Sequence, residues 1–287
     1  MSDGKRYLVV GDLSQIEARA LAWGAGQWDL IDAFIRLDAA VARGAPKEEI
    51  SKLDIYTVTG RKMGMNRDGG KVGVLAGGYG GGRFSIQAFA IGYNIRMTED
   101  EAQALVTAYR EANPMITKSW NNEEYAAKQA IENPHRVYEL GHFGAYMCDG
   151  KHLFRKLPSG RCLRYRNVTI EPRLTPWGQM KPTIIHDANY FQKGTRIFAR
   201  TKTHGAKLVQ GATQAMCRDI LYVGMYRAEV YHGLEIRLHV HDELVHATDN
   251  PEPAVPLLRK ALTDPIRWCD KLPLASSVDV LPRYRKT

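Results

Sequence analysis

Glu235-Ile236-Arg237-Leu238-His239-Val240-His241-Asp242-Glu243-Leu244-Val245-His246-Ala247 reads as two short strands joined tightly at His241-Asp242. Ile236, Leu238 and Val240 on one side and Leu244 on the other supply apolar positions, so Asp242 and Glu243 form an anionic tip on a buried hairpin. Turns also recruit Asp for local hydrogen bonding, which leaves a purely structural reading open. Far upstream, Tyr7-Leu8-Val9-Val10-Gly11-Asp12 reads as a buried strand that runs directly into a helix from Ser14 to Trp23. Asp12 stands at the end of that strand, with Glu17 and Arg19 following. It suits a hard cation such as Mg²⁺, or it caps the helix. Two strand-end carboxylates meeting on one sheet could jointly hold two Mg²⁺ ions and stabilise both oxygens of an in-line phosphoryl transfer.

A third constellation lies between them. Arg67, Lys71, Leu75 and Tyr79 recur at every fourth residue, a step of about 400° on a helix, and form one slowly turning stripe. Such a stripe offers cations to a triphosphate and an aromatic ring to a base; a solvated basic face is the alternative. Eight glycines crowd it (69, 70, 73, 77, 78, 80, 81 and 82). Each costs a helix roughly 1 kcal/mol relative to Ala, so packing or ligand must hold it. A phosphate-cradling P-loop is disfavoured, because the run lacks Lys followed by Ser or Thr and no strand precedes it.

The 287 residues carry a formal net charge of +9, with 44% hydrophobic and 25% charged residues, a globular composition suited to a polyanionic partner. Cys148, Cys162, Cys217 and Cys269 are too few and too scattered for a zinc knuckle or a disulfide scaffold, which points to a reduced, cytoplasmic setting. No stretch reaches transmembrane length, so no membrane partner is expected. Further helices are expected at 30–37, 54–63, 71–89, 99–131 (with a Thr98/Glu101 capping box and a break at Pro114), 201–230 and 252–262. Hairpins are expected over 134–190, with turns at Leu157–Arg161 and Thr175–Gly178. A strand is expected at 276–281.

Asp12-Leu13-Ser14-Gln15-Ile16-Glu17-Ala18-Arg19, then Arg67, Lys71, Leu75 and Tyr79-Gly80, then His241-Asp242-Glu243-Leu244-Val245 resemble, in order, motifs A, B and C of the family A DNA polymerases. Lys207-Leu208-Val209-Gln210 and Leu157-Pro158-Ser159-Gly160-Arg161 resemble the bacteriophage branch. The resemblance covers nearly the whole chain. It implies an α+β fold: a mostly antiparallel palm sheet from 1–25 and 199–287, and helical fingers with a hairpin-rich return from 26–198. It implies template-directed DNA synthesis from dNTPs on a primer–template, with two Mg²⁺ (Mn²⁺ as a possible substitute) held by Asp12, Asp242 and the Leu13 carbonyl. Glu243 would be an auxiliary carboxylate. Lys71 would contact the phosphates and could donate a proton to pyrophosphate, Arg67 would hold the γ-phosphate, and Tyr79 would sit at the templating pocket. Glu17 would block a ribose 2′-hydroxyl, Arg19 would steady that region on the DNA side, and Gln210, Gln214 and His241 would touch primer–template. Leu75 stands where many members carry Phe or Tyr against the sugar, and Tyr56 where many carry a His near the triphosphate. In the family a thumb, and commonly an exonuclease, precede motif A. The expectation is a split polymerase whose upstream half is a separate chain, with a truncated chain and a pseudogene fragment as the alternatives. A metal-dependent nuclease and a non-catalytic nucleic-acid-binding remnant are the competing readings.

Overall fold

The computed structural model describes residues 6–175, 178–192 and 194–284, of which 190–192 only as backbone. In chain order the elements are β1 (Tyr7–Leu13), α1 (Ile16–Ala25), α2 (Trp28–Ala42), α3 (Lys47–Leu53), α4 (Ile55–Lys62), α5 (Arg67–Val72), a π-helical turn (Gly73–Gly77), α6 (Arg83–Ile91), α7 (Glu99–Ala112) and α8 (Pro114–Glu132). Then come β2 (Tyr138–Glu139), β3 (Ala145–Cys148), β4 (Leu153–Lys156), β5 (Cys162–Leu174), β6 (Met180–Gln192), β7 (Thr195–Thr203), α9 (Gly205–Tyr226) with a π-helical extension (Arg227–Tyr231), β8 (Ile236–Val240), β9 (Glu243–Thr248), α10 (Pro251–Thr263) and β10 (Ser276–Leu281).

These fall into two compact units. The first comprises the described residues up to Ala20, Asp29–Leu53, and those from Thr213 onward; the second comprises Leu21–Trp28 and Asp54–Ala212. This grouping differs from the expected boundaries. Residues 29–53 join the unit of the first strand, and 199–212 join the hairpin-rich unit, because β7 completes the sheet there.

The first unit is built on a four-stranded sheet in the order β10-β1-β9-β8, antiparallel throughout. Strand alternation puts Leu8 and Val10 on one face, where they meet Val245, Leu281 and Ala247. The other face receives α10. Gly11 permits the approach, because a Cβ there would meet the Leu262 and Leu258 side chains at 2.8 and 3.0 Å. Arg227 fastens the π-helical extension of α9 to the end of α10 by donating to the Asp264 and Pro265 carbonyls, both at 2.7 Å.

The second unit contains a six-stranded meander, β2-β3-β4-β5-β6-β7, with α8 packed on it through Ala126, Ala127 and Ala130 against Tyr146, Cys148, Leu153 and Ile184. The capping box forms as expected, Thr98 accepting from the Glu101 N–H and Glu101 accepting from Thr98 N–H. Pro114 begins α8 and so divides 99–131 into two helices. Of the expected turn at Thr175–Gly178, Pro176 and Trp177 lie outside the described residues, and the Gly178 N–H donates to the Thr175 carbonyl at 3.0 Å.

Two helical expectations are corrected. The stretch 71–89 is not one helix: α5 passes into a π-helical turn, then a break at Gly78–Gly82, then α6. The helix expected from 201 starts at Gly205, because Thr201–Thr203 complete β7. The glycines of the first stretch serve close packing. At Gly73 a Cβ would meet Met63, and at Gly77 it would meet the Tyr109 ring at 2.9 Å. At Gly70 it would run into the Tyr56 carbonyl and the Gly60 N–H, so α4 and α5 touch backbone to backbone. Gly70→Ala is therefore expected to destabilise the second unit by about 1–3 kcal/mol in urea denaturation. Gly82→Ala, where nothing lies within 4 Å of the added Cβ, should stay close to wild type.

Candidate active site

In the first unit the register sets Asp12 directly opposite Glu243 across β1 and β9. The Leu13 N–H donates to the Asp242 carbonyl at 3.1 Å, tying the strand end to the hairpin turn. The turn residue His241 has φ +52°, in the left-handed region where His is one of the better-tolerated side chains, and it is exposed. Asp12 and Asp242 are half-buried, whereas Glu243 is buried at 2% exposure. The Glu243 carboxylate accepts a 2.7 Å hydrogen bond from the Tyr284 hydroxyl, and that bond with the adjacent negative charge pushes the Tyr284 hydroxyl above its ordinary value. Removing the donor leaves a buried carboxylate short of a partner. Tyr284→Phe is thus expected to lower stability, read by urea denaturation.

Glu17, Gln214, His241 and Asp242 line one cavity of about 380 Å³, together with Cys217, Arg218, Tyr222 and His239. Gln214 Nε2 donates to Glu17 Oε1 at 3.5 Å. Arg218 donates to the Tyr222 hydroxyl at 2.6 Å through Nη2 and lies over the Tyr222 ring, which in turn meets His239 edge-on. Burial pushes the Cys217 thiol well up, and the charges of Glu17 and Asp242 add to it. Tyr222 and His239 were missed in the sequence. Gln214, Arg218 and Tyr222 recur every fourth residue along α9, a spacing that extends the polar face to the tyrosine.

Arg19 is corrected. It is 1% exposed, forms a two-pronged ion pair with Asp38 at 2.7 Å, donates to the Ser14 and Pro273 carbonyls and lies over Phe34. A guanidinium so committed inside the core cannot present itself to DNA; it fixes the turn after β1.

In the second unit Arg67, Lys71 and Tyr56 come together. Asp54 caps α4 by accepting from the Tyr56 N–H at 3.0 Å, and the same carboxylate pairs with Arg67 Nε at 3.3 Å. Arg67 sits over the Tyr56 ring, and Lys71 lies near both the Tyr56 and Tyr93 rings, 4.5 Å from the latter. Asp54 and Tyr93 were missed in the sequence. Leu75 falls in the π-helical turn and Tyr79 in the break after it, so a single four-residue stripe does not persist: in a π-helix a step of four falls short of a full turn. Gln210 is half-buried on the part of α9 within the second unit.

Among the described residues no group of three or more His, Cys, Asp or Glu side chains is arranged to hold a metal ion. A donor set limited to Asp12, Asp242 and backbone oxygen still fits magnesium, which keeps several waters and binds through one or two carboxylates plus substrate phosphates. Among the same residues no helix is long and apolar enough to cross a membrane, and all four cysteines are free thiols.

No family model matches the sequence. A DNA polymerase of Bacillus phage SP02 is 32% identical over 291 residues, covering 99% of this chain and 42% of that protein. The fold superposes on the polymerase domain of Pol1 from M. smegmatis, solved in complex with DNA primer–template and dNTP, with a TM-score of 0.54 and 15% identity over 98% of this chain and 40% of that one. Over nearly its whole length the chain is similar to that phage DNA polymerase. It has the mixed helical and antiparallel architecture of a polymerase domain, and it spans less than half the length of the phage relative.

Proposed function

We propose that this chain carries the nucleotidyl-transfer centre of a DNA-directed DNA polymerase, joining dNTPs to a primer 3′-hydroxyl under the direction of a template. The observation that carries the proposal is the register that sets Asp12 beside the Asp242-Glu243 tip on neighbouring strands. The DNA polymerase of Bacillus phage SP02 and the likeness to a polymerase domain solved with primer–template and dNTP support it.

Asp12, Asp242 and the Leu13 carbonyl would hold two Mg²⁺, or Mn²⁺ in their place; when bound, these ions supply Lewis-acid stabilisation to the attacking and leaving oxygens. Arg67, oriented by Asp54 and stacked on Tyr56, would offer its planar fork to the triphosphate. Lys71, steadied by Tyr56 and Tyr93, would contact the same phosphates and could pass a proton to the departing pyrophosphate. Leu75 and Tyr79 would border the sugar and the templating base. Glu17, with its oxygen shared by Gln214, would crowd a ribose 2′-hydroxyl and favour deoxynucleotides. Gln214 and His241 would meet the primer–template, with Gln210 as a further contact, and Glu243, held by Tyr284, would keep negative charge at the hairpin tip without moving.

The proposal extends to the segments that make up the rest of the phage relative, of which this chain spans 42%: joined to this chain or supplied in trans, they would add grip on the DNA. The setting proposed is cytoplasmic, in the host cell if the chain is phage-encoded. Primer extension with Mg²⁺, with and without a supplied upstream half, tests both parts. Extension that appears or strengthens on mixing is expected. Strand degradation in place of extension would overturn the polymerase assignment, and full processive synthesis by the chain alone would remove the need for those segments.

A further inference from the structure

Nearly all of the chain's surplus positive charge sits in one place. Between Arg161 and Thr203 there are nine Lys or Arg and two Asp or Glu, a surplus of seven cations in a chain of formal net charge +9. This segment folds as β5, β6 and β7, three antiparallel strands of 13, 13 and 9 residues.

The register sorts the charges onto one face. Arg173 stands opposite Lys181, Arg166 and Arg200 both stand opposite Asp187, and Lys202 stands opposite Ile185. Residues 181, 185 and 187 alternate to the same side of β6, and directly opposed residues share a face. Along β7 the same alternation adds Arg196 and Phe198 to Arg200 and Lys202. With Arg164, two residues from Arg166 on β5, this face carries seven cations against two carboxylates, Glu171 and Asp187.

Some of this charge is spent internally. Arg200 bonds the Asn167 carbonyl and Thr169 and pairs with Asp187 and Glu171, while Arg173 pairs with Glu171 and Lys181 with Glu124. Even so, Arg173, Lys181, Arg196, Arg200 and Lys202 are all exposed, and these five cations outnumber the carboxylates beside them.

Two aromatic groups accompany the cations. Phe198 is 56% exposed between Arg196 and Arg200, where an apolar ring gains nothing from water. At the other end Arg173, Lys181 and Lys202 line a groove of about 710 Å³ with Trp120 and Arg110, the guanidinium lying 5.8 Å from the Trp120 ring. Cations that track a phosphate backbone, interleaved with rings on which unpaired bases stack, are the features that bind single strands without reading sequence. A duplex keeps its bases stacked internally and would leave Phe198 and Trp120 unused.

We propose that the cationic face of β5–β6–β7, continuing into the Trp120 groove, is a binding surface for single-stranded DNA built wholly within the second unit. That the polyanion is DNA rests on the proposed function; that it is a single-stranded polyanion rests on the face itself.

The test is fluorescence anisotropy of a labelled oligothymidine with the full chain over a range of salt. Changing Arg173, Arg196 and Lys202 together to Gln is expected to weaken binding at least tenfold. It should also lower the magnitude of the log-affinity against log-salt slope by about 2, from roughly 0.7 for each lost phosphate contact. The charge-preserving triple (Arg173→Lys, Arg196→Lys, Lys202→Arg) should retain both values, which separates lost charge from lost folding. Phe198→Ala should cost about tenfold on the oligothymidine and leave affinity for a blunt duplex unchanged.

Unchanged affinity and slope in the Gln triple would overturn the surface. Equal losses on duplex and single strand in Phe198→Ala would overturn the single-strand assignment, as would binding to phosphatidylserine vesicles in place of DNA. Primer extension is read separately: oligothymidine binding through this face by a chain that extends no primer would leave the surface standing and remove the polymerase proposal.

Discussion

Asp12→Asn is expected to slow single-turnover primer extension by about a thousandfold or more. The substitution is nearly isosteric and keeps β1 between β9 and β10, so the strand and its tie from the Leu13 N–H to the Asp242 carbonyl should persist. What it removes is negative charge at the strand end. Shared ligation of the catalytic ions is worth several kcal/mol of transition-state stabilisation, and each 1.36 kcal/mol is a factor of ten in rate. Asp242→Asn should give a loss of the same order. If both carboxylates serve the same ions, the double variant should be little worse than either single one, because groups acting as a unit are not additive. Extension within tenfold of wild type in either single variant, with thermal unfolding unchanged, would remove Asp12 and Asp242 from the chemistry.

The largest effect on stability is expected at Glu123. This carboxylate of α8 is fully buried and paired with the equally buried Arg155 of β4, whose Nη2 donates to it at 2.5 Å and to the Phe143 carbonyl at 2.9 Å. The Tyr146 hydroxyl donates to the same carboxylate at 2.9 Å and accepts from Arg155 Nη1 at 2.7 Å. Burial raises the Tyr146 hydroxyl well above its ordinary value, so it remains a donor at any working pH. Glu123→Ala strands a guanidinium in the core beneath α8. Breaking such a pair from one side costs about 3–5 kcal/mol, whereas replacing both partners with apolar groups is often neutral. Urea denaturation followed by tryptophan fluorescence should therefore show a large loss for Glu123→Ala and a smaller one for Glu123→Leu combined with Arg155→Met and Tyr146→Phe, which also removes the hydroxyl that the pair would leave unbonded. A small loss for the single variant would mean that water reaches Arg155.

How much of this was legible beforehand depended on whether the signal was local. The hairpin of β8 and β9, the capping box at Thr98, the break at Pro114 and the strand at 276–281 are written in neighbouring residues, and they form where expected. The course of residues 71–89 was not legible. Periodicity suggested one helix, but the glycines there accommodate Met63 and Tyr109, which a reading of that stretch alone cannot see. Arg19 carried a familiar motif position yet is absorbed by Asp38, a partner on another helix. Tyr284 and Tyr93 are single aromatic residues with no pattern around them. Only folding reveals that one bonds Glu243 and the other lies beside Lys71.

Strand β1 has both of its neighbours, β9 and β10, in the final fifth of the sequence. During synthesis Leu8, Val9 and Val10 must wait on the ribosome without a pairing partner until Glu243–Thr248 and then Ser276–Leu281 have emerged. Contacts this distant are slow to close, and an unpaired apolar strand invites association with other chains in the meantime. Soluble yield should therefore depend on chaperone supply during expression far more than the stability of the finished protein does.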